Sequence, residues 1–144
     1  MQNFLGDYEC SIDSKGRMLI PSRFRRLIPA DNDNKFVISL GKEQCLNLYP
    51  LNEWRDDVEK RLHQLPPGLK KRKVIRFYSK MSRHVESDKS GRIAIPRKFL
   101  EVINNPGKVV AVGLLNYMEI WSFDDYRDIS MKIENDFQKL EWEY

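Results

Sequence analysis

Basic side chains that could contact nucleic acid are concentrated in one short segment of the chain. Lys15, Arg17, Arg23, Arg25 and Arg26 lie within twelve residues of one another. An arginine on a two-stranded ribbon can enter the major groove and pair with guanine O6 and N7, whereas a lysine at a turn suits a phosphate. We therefore predict that Arg17 contacts bases and that Lys15, Arg23 and Arg25 add further DNA contacts. A solvated helix face is the alternative for Arg23, Arg25 and Arg26.

The residues around Lys15 and Arg17 are of the types that build a tight turn. Gly16 tolerates a positive φ, and Asp13 can cap the turn or pair with Arg17 and so set the rotamer of the arginine. We expect Asp13 and Gly16 to support the site rather than to contact DNA. The alternative interpretation is that Asp13 and Arg17 only stabilise a hairpin.

A second copy of this segment follows later in the chain. Residues 13–25 and 88–100 share Asp, Gly, Arg, Ile, Pro and Phe at a constant spacing of 75 positions. Beyond them the spacing falls to 72, which aligns Val37 with Val109. The change predicts that the second copy is three residues shorter in the loop between its helix and the next strand. Such internal similarity indicates that one supersecondary unit is used twice.

The second copy repeats the candidate site with fewer bases. Asp88, Gly91 and Arg92 stand where the first copy has its Asp, Gly and Arg, but Ser90 replaces the lysine and Leu100 replaces the last arginine. We predict that Arg92 also contacts DNA, with Asp88 and Gly91 as structural support. An internal pair between Arg92 and Asp88, at the seam of the two copies, is the alternative.

Each copy is predicted to fold in the order β-β-α-β-β. Phe24, Leu27 and Ile28 recur at helical spacing after Pro21 and predict the apolar face of a short helix. The predicted strands are 8–12, 17–20, 35–40 and 45–49 in the first copy and 83–86, 92–95, 108–112 and 117–121 in the second.

Helical periodicity follows each copy. Apolar positions predict a helix over 51–65, which two prolines and a glycine end, and another over 74–81. A C-terminal helix is predicted with Asp124 as its N-cap. Its apolar stripe consists of Tyr126, Ile129, Ile133, Phe137 and Leu140. We expect this stripe to pack against other elements or a neighbouring subunit.

These elements predict an α+β fold built from two tandem units. The units are residues 7–54 and 83–126, joined by a helical connector at 55–82 and followed by the C-terminal helix at 127–144. A domain of about 60 residues or fewer buries only a thin core by itself. We therefore expect the two units to share one core.

Charge is distributed unevenly along the chain. The formal net charge is +4, but the part from Glu119 onward carries −5 and residues 1–118 carry +9. This asymmetry indicates a basic working face and a separate acidic end. The densest basic run, residues 70–73, could bind phosphates, form the solvated face of a helix or pair with the acidic end of another subunit.

Residue patterns of enzymes and metal sites are missing from the sequence. His63 and His84 lie outside metal-ligand spacing, and Cys10 and Cys45 form no C-x-x-C pair. There is no P-loop and no nucleophile motif. We predict that the protein is not an enzyme and uses no metal, cofactor or small-molecule substrate. Two unmatched thiols indicate a reducing compartment, and we expect neither a signal peptide nor a membrane-spanning helix.

Residues 13–25 resemble the signature of the MraZ family, and residues 88–99 resemble its second copy. The start of the chain at 4–8 and the run 48–50 before Trp54 are also similar to that family. The resemblance covers nearly the whole chain, including the order and spacing of the two copies.

The resemblance implies a pair of SpoVT-AbrB-type units whose swapped hairpins form a pseudo-dimer within one chain. It also implies a homo-oligomer, in the form of a closed ring, that binds direct repeats in double-stranded promoter DNA. The expected role is repression of the protein's own operon for division and cell-wall functions, in the cytoplasm and associated with the nucleoid. The departures at Ser90 and Leu100 put the contribution of the second hairpin in question.

An oligomeric protein-interaction module is the alternative function. Such a scaffold or antitoxin-like protein would bind DNA only non-specifically. AbrB-like antitoxins carry one unit and a disordered tail, whereas this chain has two units and a tail with helical periodicity. A co-purifying protein partner would favour the alternative.

Overall fold

The first copy of the repeat folds as four strands around a very short helix. The computed structural model describes residues 3–139. The elements are β1 (Asp7–Ser11), β2 (Arg17–Leu19), α1 (Ser22–Arg25), β3 (Lys35–Leu40) and β4 (Leu46–Pro50). A 3₁₀ turn at Ala30–Asn32 occupies the connection between α1 and β3. Leu27, predicted on the apolar face of the helix, is 44% exposed because α1 ends before it.

Two helical segments connect the copies. The first begins as α2 (Leu51–Trp54), continues as a π-helix over Arg55–Glu59 and ends as α3 (Lys60–His63). After the two prolines, Gly68 at φ 136° starts the second helix, α4 (Leu69–Met81). Both predicted connecting helices are therefore present.

The second copy repeats the order of the first and continues into the longest helix. Its elements are β5 (Ser82–Glu86), β6 (Arg92–Ala94), α5 (Arg97–Val102), β7 (Lys108–Gly113) and β8 (Met118–Ser122), followed by α6 (Phe123–Phe137). The N-cap of α6 is Ser122, whose Oγ accepts the backbone N–H of Asp125 at 3.2 Å. The prediction of Asp124 as N-cap is wrong, because Asp124 lies inside the first turn.

Strand pairing joins the two copies into one body. Six antiparallel strands form a sheet in the order β1-β7-β8-β4-β3-β5, and β2 pairs with β6 in a separate two-stranded ribbon. The first strand of each copy therefore pairs with the third strand of the other copy. The predicted α+β class, with two copies of one unit, is confirmed.

A pseudo-two-fold axis relates the copies. Met18 lies opposite Ile93 in the ribbon, and Asn47 lies opposite Glu119 where β4 meets β8 in the sheet. The members of each pair are equivalent positions of the two copies. The axis therefore passes through the centre of the ribbon and the centre of the sheet.

The strand register corrects the alignment of the two copies. Val37 lies opposite Tyr49, and Val110 lies opposite Trp121, the position equivalent to Tyr49. Val37 thus corresponds to Val110 and not, as predicted, to Val109. The second copy is two residues shorter between helix and strand and one residue shorter in the following hairpin. The prediction that all three residues are missing from the first of these loops is wrong.

The copies share one hydrophobic core between the ribbon, the short helices and the sheet. Phe24 and Phe99, equivalent residues of α1 and α5, are both fully buried in it. Phe4 reaches the same core from the N-terminal segment, with its ring centroid 5.3 Å from that of Phe24. A core of this kind requires both copies, because each supplies half of its side chains.

The two cysteines are free thiols. Cys45 is buried and Cys10 is half-buried. Burial raises the pKa of Cys10 to about 11 and that of Cys45 to about 12. Both thiols are therefore protonated at neutral pH and act as small apolar side chains.

Candidate nucleic-acid interface

The ribbon of β2 and β6 presents one face to solvent and the other to the core. Met18 and Ile93 point inward and are fully buried. Side chains alternate along a strand, so the flanking positions face outward. On that outer face Arg17 lies opposite Ala94, and Arg92 lies opposite Leu19. The two arginines predicted to contact DNA are therefore brought onto one exposed two-stranded surface.

Asp13 organises the turn that precedes Arg17. Its Oδ1 accepts the backbone N–H groups of Lys15 and Arg17, each at 2.9 Å, and its Oδ2 accepts a hydrogen bond from Arg17 Nε at 2.8 Å. Gly16, at φ 75°, donates its N–H to the carbonyl of Asp13. Asp13 thus both caps the turn and pairs with Arg17, the two structural roles that the sequence suggested.

The second turn has the same backbone construction. Asp88 Oδ1 accepts the N–H groups of Ser90 and Arg92, each at 2.9 Å, and Gly91 has a φ of 87°. Asp88 accepts hydrogen bonds from the backbone N–H groups of Ser90 and Arg92, whereas Asp13 also binds the side chain of its arginine. The two turns therefore hold their arginines differently.

The hydrogen bonds of both turns lower the pKa of the aspartates. The backbone N–H of Arg17 is the main cause at Asp13, supported by the guanidinium of the same residue and the N–H of Lys15. The backbone N–H of Arg92 is the main cause at Asp88, with the N–H of Ser90 and the charges of Arg92 and Arg17 adding to it. Both carboxylates are therefore ionised at any pH near neutral.

Backbone hydrogen bonds tie each turn to the other copy. The N–H of Ile20 donates to the carbonyl of Gly91, and the N–H of Ile95 donates to the carbonyl of Gly16, each at 2.9 Å. The two turns therefore sit at the two ends of one ribbon in a fixed relation. A rigid support of this kind limits the motion of Arg17 and Arg92 relative to each other.

The other predicted DNA contacts lie in different surroundings. Lys15, at the tip of the first turn, and Arg23, on α1, are exposed. Arg26 is exposed too, with its Nε 3.4 Å from the carbonyl of Ser22. Arg25 is half-buried, and its guanidinium crosses to the second turn, where Nη1 donates to the carbonyl of Ser90 at 3.2 Å.

Sequence reasoning missed this crossing of Arg25. Its acceptors are backbone carbonyls, which no residue pattern reveals. The available signal was the repeat itself, because Arg25 and Leu100 are equivalent positions with different chemistry. The structure places both of them against a turn of the opposite copy.

The charged helices lie outside the ribbon. Helix α4 contains six basic and no acidic residues, and Phe77 on it is 57% exposed. Helix α6 contains five acidic and two basic residues, and Met131 and Ile133 on it are 59% and 57% exposed. Of the apolar stripe predicted on α6, Leu140 lies outside the described residues.

The start of α6 is anchored to the sheet. Tyr126 donates its hydroxyl hydrogen bond to Asp7 Oδ2 at 2.7 Å. Burial, followed by this carboxylate, raises the pKa of Tyr126, so the phenol stays protonated. From residue 131 onward the described side chains of the helix are exposed. Only the first half of α6 therefore packs on the sheet within the described part of the chain.

Among residues 3–139, no group of three or more His, Cys, Asp or Glu side chains is placed where it could hold a metal ion. Within the same part of the chain, no helix has the length and apolarity needed to cross a membrane.

Similarity to known proteins extends over almost the entire chain. Residues 3–67 and 82–143 match the model of the family described as "MraZ protein, putative antitoxin-like". The chain is 38% identical, over 138 residues, to a protein of Pediococcus pentosaceus named transcriptional regulator MraZ, covering 95% of this chain and 93% of that protein. A protein of Halothermothrix orenii with the same name is 40% identical over 120 residues, 83% of this chain and 80% of the relative.

Proposed function

The chain belongs to the MraZ family, and from this premise we propose that it is a sequence-specific, DNA-binding regulator of transcription. The observation that supports the proposal most directly is the outer face of the β2–β6 ribbon. It carries Arg17 and Arg92 on a backbone held by two aspartate-capped turns. The names of the two relatives agree with this role.

The ribbon suits the major groove of double-stranded DNA, which admits two antiparallel strands. Arg17 is the main candidate for base contact, because Asp13 binds its Nε and so orients the guanidinium. Its two terminal nitrogens can then donate to O6 and N7 of guanine. Arg92 takes the equivalent place on the second hairpin.

Phosphate contacts would come from the bases that surround the ribbon. Lys15 is exposed at the turn tip and suits a phosphate as a point charge. Arg23 is exposed on α1 and can contribute in the same way. Arg25 adds charge to the same region, although its guanidinium already donates to two carbonyls. Asp13, Gly16, Asp88 and Gly91 shape the turns.

We further propose that the fold is a swapped-hairpin pair of AbrB-like units within one chain. The exchange of first strands between the copies supports this interpretation. The proposed units are residues 7–54 and 83–126, with the connector at 55–82 and a C-terminal segment that begins at residue 127. A pseudo-dimer of this kind presents two hairpins from a single chain.

A ring-shaped homo-oligomer would multiply the number of ribbons that face one DNA molecule. Linked sites raise the effective concentration of each further contact, so short direct repeats at the protein's own promoter become a high-avidity target. The opposite charges and exposed apolar residues of α4 and α6 support contact between copies. We propose that this assembly works in the cytoplasm, on the nucleoid, as a repressor of its own operon.

Fluorescence anisotropy with duplex DNA from upstream of the protein's own gene tests the proposal. A shuffled duplex of the same composition is the control, and both are titrated at several salt concentrations. We expect at least about tenfold tighter binding to the native duplex and a steep negative salt slope. Equal and weak binding to both duplexes would contradict the proposal. It would favour an antitoxin-like interaction module, for which a protein partner should then be sought.

A further inference from the structure

The side chain of Arg25 begins in the first copy and ends on the turn of the second. Its Nε donates to the carbonyl of Ile20 at 2.9 Å, and its Nη1 donates to the carbonyl of Ser90 at 3.2 Å. A Cβ added to Gly91 would lie 2.8 Å from Nη1 and 2.9 Å from Nε. The guanidinium therefore occupies the space directly over Gly91.

These contacts surround a hydrogen bond that joins the copies. The N–H of Ile20 donates to the carbonyl of Gly91 at 2.9 Å, while the carbonyl of Ile20 receives Arg25 Nε. The same arginine donates to the carbonyl of Ser90, which lies one residue before Gly91 and two before Arg92. A guanidinium is planar and holds two acceptors at a fixed mutual distance. Arg25 thus connects the tip of the second turn, at Ser90, to Ile20, which directly follows β2.

The equivalent position in the other copy lacks this chemistry. Leu100 packs over Gly16, with its Cδ1 3.2 Å from the position of an added Cβ. A leucine covers the turn but has no donor for the carbonyls around it. The first turn is instead stiffened from within, because Arg17 Nε binds Asp13. One arginine side chain therefore stabilises each turn. Arg17 belongs to the first turn itself, whereas Arg25 reaches the second turn from the other copy.

We infer that Arg25 is a positioning residue that holds the second hairpin, and with it Arg92, in register with the first. The inference rests on the proposed DNA binding by the ribbon. It assigns to Arg25 an effect that passes through the turn at 88–92 rather than through direct contact with a phosphate. It also gives the second turn a support from the other copy, where the first turn has the side-chain pair of Asp13 and Arg17.

Three variants separate positioning from phosphate contact. Arg25→Leu introduces the residue that the second copy has at this position. Arg25→Lys keeps the positive charge but loses the planar guanidinium. Arg26→Leu removes the charge of an exposed neighbouring residue. Amide hydrogen exchange without DNA is measured at Gly91 and Arg92, with Gly16 and Arg17 as internal reference. Affinity for the native and shuffled duplexes is then measured across a salt series.

We expect Arg25→Leu and Arg25→Lys to speed amide exchange at Gly91 and Arg92 by about tenfold, the loss expected for a hydrogen bond from a charged group. Exchange at Gly16 and Arg17 should stay unchanged. Both variants should weaken binding to the native duplex by about tenfold, while the slope of log K against log salt is retained. Arg26→Leu should leave exchange in both turns unaltered.

Unchanged exchange at Gly91 and Arg92 in both variants would overturn the inference. So would an Arg25→Leu protein whose salt slope falls by about 0.9 while Arg25→Lys binds normally, because that pattern indicates a phosphate contact. Faster exchange with unaltered DNA affinity would also overturn it. If the unmodified protein does not distinguish native from shuffled duplex, the regulator proposal fails. The exchange data, taken without DNA, would still decide whether Arg25 holds the turn.

Discussion

Asp13 Oδ2 accepts a hydrogen bond from Arg17 Nε at 2.8 Å, while Asp13 Oδ1 accepts the backbone N–H of the same arginine at 2.9 Å. One carboxylate therefore fixes both the backbone and the side chain of Arg17. The side chain of Arg17 remains 39% exposed at the surface of the ribbon. An arginine that is held in this way before binding loses less conformational entropy when it contacts a base.

Replacement of Arg17 by alanine should remove sequence discrimination and leave the fold intact. The side chain lies on the outer face of the ribbon, so its loss opens no cavity in the core. Loss of one bidentate contact to guanine removes about 1–3 kcal/mol of discrimination per bound ribbon. Anisotropy with native and shuffled duplexes measures the effect, and sedimentation with circular dichroism checks assembly and fold. Unchanged preference for the native duplex would exclude Arg17 from base contact.

The aspartate-capped turns should be insensitive to pH across the physiological range. Hydrogen bonds, first of all from the backbone N–H groups of Arg17 and Arg92, lower the pKa of Asp13 and Asp88 from the ordinary 3.8. A lowered folded-state pKa stabilises the fold above the ordinary value, and this contribution disappears as the pH falls through the folded-state pKa. NMR titration of the two carboxyl groups should therefore give midpoints below 3.8. A midpoint at or above that value would show that the caps are not formed in solution.

Alanine substitutions should test the backbone of the two turns. Gly16 and Gly91 have φ values of 75° and 87°, a region that costs an L-residue about 1–2 kcal/mol. Gly16→Ala should lower the free energy of unfolding by about that amount. Gly91→Ala should lower it further, because the new Cβ displaces Arg25. Urea denaturation measures both.

Gly107 provides the matched control for these substitutions. Its φ is not positive, and an added Cβ would meet no atom within 4 Å. Gly107→Ala should leave the free energy of unfolding equal or raise it by up to about 1 kcal/mol. A Gly91→Ala protein as stable as the Gly107→Ala protein would contradict the tight contact between Gly91 and Arg25.

The turns and the repeat could be predicted because their chemistry is local. The Asp-x-x-Gly-Arg pattern contains the capping aspartate, the glycine and the arginine within five residues. In the structure the aspartate accepts the N–H groups of Lys15 and Arg17, and the glycine has a positive φ. The predicted strand ends, which followed from β propensity, all lie within one residue of the observed ends. The N-cap of α6 was mistaken because Ser122 precedes two acids that also suit a helix start.

Long-range pairing could not be predicted from the residues themselves. Periodicity shows that β1 is a strand but not that its partner is β7 in the other copy. The misaligned pair of Val37 and Val109 has the same origin, because identical residues matched one position away from the true register. The hydrogen bonds of Arg25 could not be predicted either, because their acceptors are backbone carbonyls, which every residue type has.

Charge reversal on α4 should weaken the association of copies. Lys70 and Lys73 are exposed on a helix that contains no acidic residue, whereas Lys71 already donates to the carbonyl of His63. We propose that α4 of one copy meets the acidic α6 of the next. Lys70→Glu with Lys73→Glu should then shift the sedimentation profile toward smaller species. Opposite charges also steer association, so the effect should be largest at low salt.

A compensating change identifies the partner helix. The α6 variant Glu134→Lys with Asp136→Lys should by itself weaken assembly. Combined with the two α4 substitutions to glutamate, it should restore assembly, because the charges of the two helices are again opposite. Arg97→Glu with Lys98→Glu, exposed bases of α5, is the matched control and should leave the sedimentation profile unchanged. Persistence of the full assembly in both double variants, or failure of the combined protein to reassemble, would contradict contact between α4 and α6. If assembly links the ribbons of several copies as proposed, the dispersed variants should also lose more affinity for DNA with several repeats than for DNA with a single site.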